Sequence, residues 1–356
     1  MKTINQHNTL SNTNISILDL VPVLSNGSAS QSIKNSLDLA QKAESFGYNR
    51  YWLAEHHNMA GIASSATSVL IGFIAGGTST IKVGSGGIML PNHAPLVVAE
   101  QFGTLESIYP GRIELGLGRA PGTDQVTSMA LRRNMRGSVE EFPQNVQEIR
   151  NYFTNTNPKA PVRAMPGEGL SIPIWLLGSS TYSAQLAAML GLPFAFASHF
   201  APALLHNATR LYRDSFVPSD SLTEPYIMAG VNVIAADTDE EAEYLATSLF
   251  AFFLNVIRGT ANPLRPPVEN MEKIWNESEK MAIHQMLGYT FIGGPTTIRQ
   301  KLDQFIAETG VNELMIVSNI YDHDARVRSY QIVSDIKDNL DSGIIHQEMD
   351  KGYTTA

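Results

Sequence analysis

The sequence predicts an α/β protein that forms a single (β/α)8 TIM barrel, with insertions after strand 4 and after strand 7. Short apolar segments rich in β-branched and aromatic residues alternate eight times with longer segments of helical period. Parallel strands joined by crossover helices produce this pattern. The glycine-rich turns lack the dinucleotide fingerprint G-x-G-x-x-G, since Met89 and Pro121 stand where it needs glycine. A closed barrel is therefore favoured over a doubly wound sheet.

The first half of the chain supplies four predicted strands, at residues 15–23, 50–57, 81–89 and 112–119. Helices are predicted after the first three strands, at residues 30–46, 63–75 and 95–108. Gly47 ends the first of these helices, because glycine readily adopts the left-handed conformation found after a helix. About fifty residues rich in Pro, Gly and Asn then form the first insertion, which we expect to hold one or two helices.

The second half supplies the other four predicted strands, at residues 172–177, 194–198, 226–235 and 313–319. Helices are predicted at residues 202–216, 296–309 and 325–340. The acidic run 237–241 suits the start of a further helix, where carboxylates meet the positive end of the helix dipole. The proline-rich segment 259–276 is the second insertion, and it is expected to form a lid over a site.

The composition argues against a nucleic-acid-binding protein and against a membrane protein. The 356 residues include 25 Lys and Arg against 34 Asp and Glu, a formal net charge of −9, and no cysteine. No run of basic residues is present, which argues against nucleic-acid binding. No apolar stretch reaches the roughly 20 residues that span a bilayer, so we expect no membrane partner and a cytoplasmic location. Residues 1–14 are predicted to be a flexible N-terminus, 15–341 the barrel domain and 342–356 a C-terminal tail.

The ends of the predicted strands carry the residues that suggest chemistry, because barrel enzymes place their sites at the carboxyl ends of their strands. The turn GSSTYS at 178–183 joins the fifth strand to a helix, so its backbone N–H groups and the hydroxyls of Ser179, Ser180 and Ser183 would form an anion site. The alternative is that these hydroxyls only cap the helix. Arg119, at the end of the fourth strand, favours a phosphate because its guanidinium matches phosphate geometry, although a surface ion pair is also open.

Glycines and histidines mark two more strand ends. Gly86 and Gly87 could let a flat ring lie against the backbone, or could simply form tight barrel turns. Alternation in a strand puts His56 on the opposite face from Glu55 and His57. His56 could act as an acid, a base or a hydrogen-bond donor, or it could be a core histidine. A metal site is the other alternative, although H-x-H and H-E-x-x-H spacings are missing; its candidate ligands are His56, His57, His93, His199 and Asp322.

Four segments together resemble the bacterial luciferase-like flavin monooxygenases. They are YWLAEHH at 51–57, VGSGGIMLP at 83–91, PGR at 110–112 with GLGR at 116–119, and LGSS at 177–180. The segments occur in the family's order and spacing, and the resemblance extends from about residue 15 to residue 340. It implies a (β/α)8 barrel that binds FMN, usually as reduced FMN from a separate reductase, at the C-terminal mouth.

The resemblance also implies roles for individual residues. His56 corresponds to the active-site histidine beside the flavin, and Gly86 and Gly87 to a bulge under the flavin ring that carries a non-prolyl cis peptide bond. The phosphate would be held by residues that the strand-end argument already selects, namely Arg119, Ser179, Ser180 and Ser183. The family often forms dimers, so a homodimer is expected.

The sequence is thus interpreted as an FMN-dependent monooxygenase, in which reduced FMN and O2 form a flavin hydroperoxide that oxidises a small organic substrate. No metal is expected at this site. Two alternatives stay open. One is a metal-dependent (β/α)8 hydrolase, and the other is a non-catalytic protein that binds and stores FMN.

Overall fold

A computed structural model of the protein describes residues 9–131, 140–154, 156–260 and 262–338. It contains a parallel sheet of ten strands, β1 Asn14–Asp19, β2 Arg50–Leu53, β3 Lys82–Ser85, β4 Ile88–Met89, β5 Ile113–Gly118, β6 Ile174–Gly178, β7 Phe194–Phe196, β8 Ile227–Ala235, β9 Thr290–Gly293 and β10 Glu313–Val317. Eight of these strands pair in the closed ring β1-β2-β3-β5-β6-β7-β8-β10, because β10 pairs with both β8 and β1. The predicted (β/α)8 barrel is confirmed.

Helices surround the barrel, namely α1 Ala29–Ser45, α2 Thr67–Gly77, α3 Pro95–Ile108, α4 Gln125–Leu131, α5 Phe142–Thr154, α6 Thr181–Leu190, α7 Leu205–Ser215, α8 Asp239–Ile257, α9 Glu277–Met286, α10 Pro295–Thr309 and α11 His323–Asp338. The insertion after β5 holds two of them, α4 and α5, as predicted. None of the helices in the described ranges is both long and apolar enough to cross a bilayer.

Alternation along the strands separates two cores. One set of side chains packs outward between strands and helices, including Ile17, Tyr51 and Val83. The other set fills the barrel interior, including Leu18, Trp52 and Met315. Successive residues of a strand face opposite sides, here the helices and the barrel interior. Both faces of such a strand are buried, and all nine residues of β8 are buried.

Charged residues close the amino-terminal end of the barrel. The guanidinium of Arg50 donates to Glu114 at 2.6 Å and to Glu313 at 2.8 Å, and Trp52 Nε1 donates to Glu114 at 2.9 Å. Tyr226 adds a hydrogen bond to Glu313 at 2.9 Å. Both carboxylates are therefore paired and hydrogen-bonded, which is the condition under which charge can be buried.

Two parts of the sheet differ from the prediction. The third predicted strand, 81–89, is divided into β3 and β4, and the peptide bond between Gly86 and Gly87 is cis, as the resemblance implied. Strand β9, which the sequence analysis did not predict, pairs with residues 232–235 at the carboxyl end of β8, beyond residues 227–229 that pair with β7. Its four residues are too few to show a period, so only its neighbour defines it as a strand.

The ends of the chain are described only in part. Residues 10–12 form a short 3-10 helix whose Leu10 is fully buried, and the Leu10 N–H donates to Asp303 at 2.7 Å. Residues 1–8 and the predicted tail 342–356 lie outside the described residues. The division into 1–14, 15–341 and 342–356 stays a prediction.

Candidate functional site

A cavity of about 540 Å³ opens at the carboxyl ends of the barrel strands. Leu18, Trp52, Met228 and Met315 belong to the interior cluster and form its floor. Its walls come from the segments that follow the strands and from helices α8 and α9. A carboxyl-end position is where a (β/α)8 barrel gathers its functional side chains.

The cavity brings together six of the seven residues selected from the sequence, namely His56, Gly86, Arg119, Ser179, Ser180 and Ser183. The seventh, Gly87, is not among the residues that line the cavity. A Cβ atom on Gly87 would come within 2.8 Å of the carbonyl oxygen of Gly116 on the neighbouring strand. Close packing of two backbones explains this glycine, as the tight-turn interpretation proposed.

The turn before helix α6 presents unused hydrogen-bond donors to the cavity. Ser180 is the N-cap residue of α6 in an extended conformation, and its side chain makes no cap hydrogen bond. The capping alternative is therefore wrong for Ser180. A Cβ atom on Gly178 would lie 2.6 Å from both Cβ and Oγ of Ser183, so only glycine lets the turn close this tightly. The first N–H groups of a helix have no partner within the helix, and Ser179, Ser180 and Ser183 line the cavity at this end of α6.

Arg119 supplies a positive charge beside this turn. Its guanidinium carbon lies 3.9 Å from the ring centroid of Tyr182, in the first turn of α6. Within the described residues Arg119 forms no ion pair with a carboxylate, so the surface ion-pair alternative finds no support there. A fixed cation beside a helix N-terminus is an arrangement that could hold a phosphate group.

Glu55 organises the opposite side of the mouth. Its carboxylate, 1% exposed, accepts hydrogen bonds from His93 at 2.8 Å, from His57 at 2.9 Å and from the Met89 N–H at 3.0 Å. Burial opposes ionisation of Glu55, but the hydrogen bonds from His93, His57 and Met89 outweigh it, so the pKa of Glu55 is lowered. The expected placement is found, because His57 contacts Glu55 while His56 lines the cavity, although β2 ends at Leu53 before these residues.

The imidazole of His56 is held in its neutral form. Burial lowers its pKa below the usual 6.5, and a backbone hydrogen bond at Gly122 and the charge of Glu55 only partly oppose this effect. A neutral imidazole has one nitrogen that donates and one that accepts. At neutral pH His56 can therefore either give or take a proton at the cavity surface.

Two polar residues, His199 and Asn232, belong to the wall of the cavity that also includes α8 and α9, called here the far wall. The sequence analysis selected neither of them to bind a cofactor or a substrate. His199 was a candidate only for a metal, and Asn232 was missed. Asn232 interrupts the apolar run of β8, and that single polar residue was the signal that could have identified it. Its amide nitrogen donates to the carbonyl oxygen of His199 at 2.5 Å and to Thr290 Oγ1 at 3.1 Å.

The rest of the far wall is apolar. Ile62, Phe252, Phe253, Val256 and Met286 line it, the last four from helices α8 and α9. The sequence analysis expected the segment 259–276 to cover the site, but none of its described residues lines the cavity. Instead Leu264 bridges to Leu24, beside the loop that follows β1.

The candidate metal ligands do not converge. Among the described residues, no group of three or more His, Asp and Glu side chains could hold a metal ion. His57 and His93 both bind Glu55, and Asp322 accepts a hydrogen bond from the Ala325 N–H at 2.9 Å, at the start of α11. The arrangement required by the metal-dependent hydrolase alternative is therefore not present in the described part of the chain.

Comparison of the sequence with known proteins identifies one family. The family model for luciferase-like monooxygenases matches residues 13–313. The chain is 57% identical over 334 residues to the protein YvbT of Bacillus subtilis, covering 94% of this chain and 99% of YvbT. It is 53% identical over 325 residues to a luciferase-like monooxygenase of Escherichia coli, covering 91% of this chain and 97% of that protein.

Two solved structures have a similar fold. The structure of apo-MsnO8 superposes with a TM-score of 0.81 at 32% identity, covering 91% of this chain and 98% of MsnO8. The oxygenating constituent of 3,6-diketocamphane monooxygenase from Pseudomonas putida, a Baeyer–Villiger enzyme solved with FMN, has a TM-score of 0.68 at 17% identity, covering 91% of this chain and 97% of that one; this is a likeness of fold. With a family model that matches most of its length and relatives above half identity, the chain belongs to the luciferase-like monooxygenase family.

Proposed function

We propose that the protein is an FMN-dependent monooxygenase that uses reduced FMN and O2 to oxidise a small organic substrate. The observation that carries this proposal is the convergence of Arg119, the open N-terminus of α6 and His56 on one cavity of about 540 Å³. FMN combines a phosphate with a flat ring system that is apolar at its dimethylbenzene end. The two sides of the cavity match these two parts, since one is cationic and rich in N–H donors and the other is apolar.

The proposed roles follow from the positions of the side chains. Arg119 and the turn of Ser179, Ser180 and Ser183 hold the phosphate by charge and hydrogen bonds. Gly86 lines the cavity, and the ring would lie against its backbone. His56 holds or moves a proton at its neutral imidazole. When bound, reduced FMN supplies the chemistry that activates dioxygen, while the apolar wall limits access of water.

Binding of FMN is tested by anaerobic calorimetry and absorbance with FMN, reduced FMN and riboflavin. We expect FMN and reduced FMN to bind, and riboflavin to bind at least about tenfold more weakly because it lacks the phosphate that charge-assisted hydrogen bonds would hold. A folded protein that binds neither form of FMN would overturn the proposal. Equal affinity for riboflavin would remove the phosphate site.

Turnover is tested separately by stopped-flow mixing of the complex of protein and reduced FMN with oxygenated buffer. Oxidation of an added organic compound with incorporation of oxygen supports a monooxygenase. Reoxidation of FMN without oxidation of any compound in a broad panel would favour the FMN-storage alternative.

The proposal includes partners and location. A separate flavin reductase supplies reduced FMN, and the chain acts as a homodimer in the cytoplasm. Support for a dimer comes from neighbouring helices α2 and α3, which expose Val69, Phe73, Val97 and Ile108. Sedimentation analysis should give twice the chain mass, and Phe73→Glu should shift it toward the monomer. A wild-type monomer at micromolar concentration would overturn this part of the proposal.

A further inference from the structure

His199 occupies the barrel interior above strand β8. A Cβ atom on Gly230 would lie 2.3 Å from His199 Nδ1 and 3.2 Å from its Cε1. The imidazole can therefore take this place only because residue 230 is glycine. The Nδ1 edge of the ring faces β8, and the opposite edge, which carries Nε2, faces away from that strand toward the cavity that His199 lines.

The surroundings fix this ring. Asn232 donates to the His199 carbonyl oxygen at 2.5 Å, which anchors the backbone to β8. The Phe200 ring packs edge-on against the imidazole, with the ring centroids 4.8 Å apart. His199 is thus held as a rigid group rather than as a mobile side chain.

Its protonation state follows from the same contacts. His199 Nδ1 is buried and has no hydrogen-bond partner among the described residues. Burial, with a smaller contribution from the charge of His56, lowers the pKa of His199 to about 3, so the ring is neutral at working pH. A neutral imidazole carries one N–H, and a buried N–H without an acceptor is rarer in proteins than a buried lone pair without a donor. The lone pair therefore belongs on Nδ1 and the proton on Nε2.

The Nε2–H donor has no protein acceptor among the described residues, and even the buried Asn232 Oδ1 in the same wall is without a hydrogen-bond partner. Phe252, Phe253 and Met286 line the same wall and offer no hydrogen-bond acceptor beyond a thioether. This donor can form a hydrogen bond only with an acceptor atom of a bound ligand. A ligand that lacks an acceptor leaves the N–H group without a hydrogen bond, so the site should discriminate strongly against such ligands.

We propose that His199 is a substrate-binding residue whose Nε2–H group donates a hydrogen bond to an acceptor oxygen, such as a carbonyl, of an otherwise apolar substrate. This inference rests on the proposed function, because it assumes that the FMN ring and the substrate share this cavity. His56 then serves the reacting centre, while His199 selects and orients the organic molecule from the other wall.

The test compares acetophenone with ethylbenzene, which have similar shape and differ in the carbonyl oxygen. Binding to the FMN-loaded protein and to the FMN-free protein is measured by tryptophan fluorescence, since Trp52 lines the cavity. We expect acetophenone to bind about tenfold more tightly than ethylbenzene, the ratio that one hydrogen bond provides. The ratio should fall to about one in His199→Phe and return in His199→Gln, whose amide can donate. His206→Phe, at an exposed histidine on α7 outside the cavity lining, should keep the wild-type ratio.

A ratio that is unchanged in His199→Phe, or no binding of acetophenone to the wild-type protein, would overturn the inference. Nitrogen-15 NMR of histidine-labelled wild-type protein provides a check that needs no variant to fold. It should show His199 as a neutral ring with the proton on Nε2 between pH 5 and 8, and a proton on Nδ1 would contradict the argument. If FMN does not bind, the proposed function is removed. The measurements on the FMN-free protein still test the role of His199, so the two results can be told apart.

Discussion

The guanidinium of Arg119 stacks on the ring of Tyr182, with 3.9 Å between the guanidinium carbon and the ring centroid. Arg119 directly follows β5, and Tyr182 is the second residue of α6, so the contact joins two neighbouring strand ends. Cation–π attraction holds the charge beside the helix N-terminus without neutralising it. The guanidinium edges stay available for a phosphate.

Arg119→Ala should weaken FMN binding by about 10- to 150-fold, the effect of losing a charge-assisted hydrogen bond worth about 1.5–3 kcal/mol. Tyr182→Leu should weaken it by roughly two- to fivefold, because the guanidinium loses its support. Tyr182→Phe keeps the ring and is the matched control. Calorimetry with FMN measures all three variants, and an unchanged affinity in Arg119→Ala would show that the phosphate binds elsewhere.

Gly178→Ala should distort the turn before α6. The added methyl group would lie 2.6 Å from Ser183 Cβ, so the turn must open, at a cost of about 1–3 kcal/mol in the free energy of unfolding. FMN affinity should fall as well, since the N–H groups of α6 move. Gly294→Ala is the control, because its nearest contact would be an ordinary 3.5 Å. Urea unfolding and calorimetry give both quantities, and wild-type behaviour of Gly178→Ala would contradict the described turn.

Arg50→Met should be one of the most destabilising single changes in the barrel interior. It leaves the buried carboxylates of Glu114 and Glu313 without their shared cation, and breaking such a cluster costs about 3–5 kcal/mol. Arg328→Met breaks an exposed pair with Asp237 and should cost less than about 1 kcal/mol. Urea denaturation compares the two. Equal effects would mean that solvent reaches the amino-terminal end of the barrel.

The stability of the FMN-free protein should fall as the solution is acidified from about pH 6.5. The pKa of His199 is about 3 in the folded chain and near the ordinary 6.5 in the unfolded chain, so the unfolded chain takes up a proton first. Stability from this group is fully present above pH 6.5 and is lost toward pH 3, by up to about 1.4 kcal/mol per pH unit. His199→Phe should show a shallower dependence of unfolding free energy on pH than the wild-type protein in urea unfolding at pH 5, 6 and 7. Identical slopes would indicate that His199 is solvated.

Periodicity was sufficient to predict the elements that pack on the barrel. The helix predicted at 95–108 has those bounds in the structure, and the predicted strand at 226–235 differs from β8 by one residue. These segments are long and buried on defined faces, so their sequences repeat the geometry of the element. The order of the strand ends then placed His56, Arg119 and Ser180 on one rim.

Strand ends were predicted less well, because side-chain contacts from distant segments define them. The first strand was predicted to reach residue 23 but ends at Asp19, whose carboxylate accepts a hydrogen bond from the distant Arg326 at 2.8 Å, and Val21 has a φ of 53°. The second was predicted to reach residue 57 but ends at Leu53, followed by Glu55, which accepts hydrogen bonds from His93 and Met89. A local pattern does not contain these partners.

The amino-acid sequence by itself determined the barrel, the family resemblance and the rim of candidate site residues, because alternation of apolar segments and short motifs at strand ends are local properties of the chain. Only the tertiary structure decided which residues form the cavity wall that faces this rim. It brought His199 against Gly230, placed Asn232 beside it and turned the apolar faces of α8 and α9 inward. Those contacts join residues far apart along the chain, and their energy depends on distances that exist only after the barrel has closed.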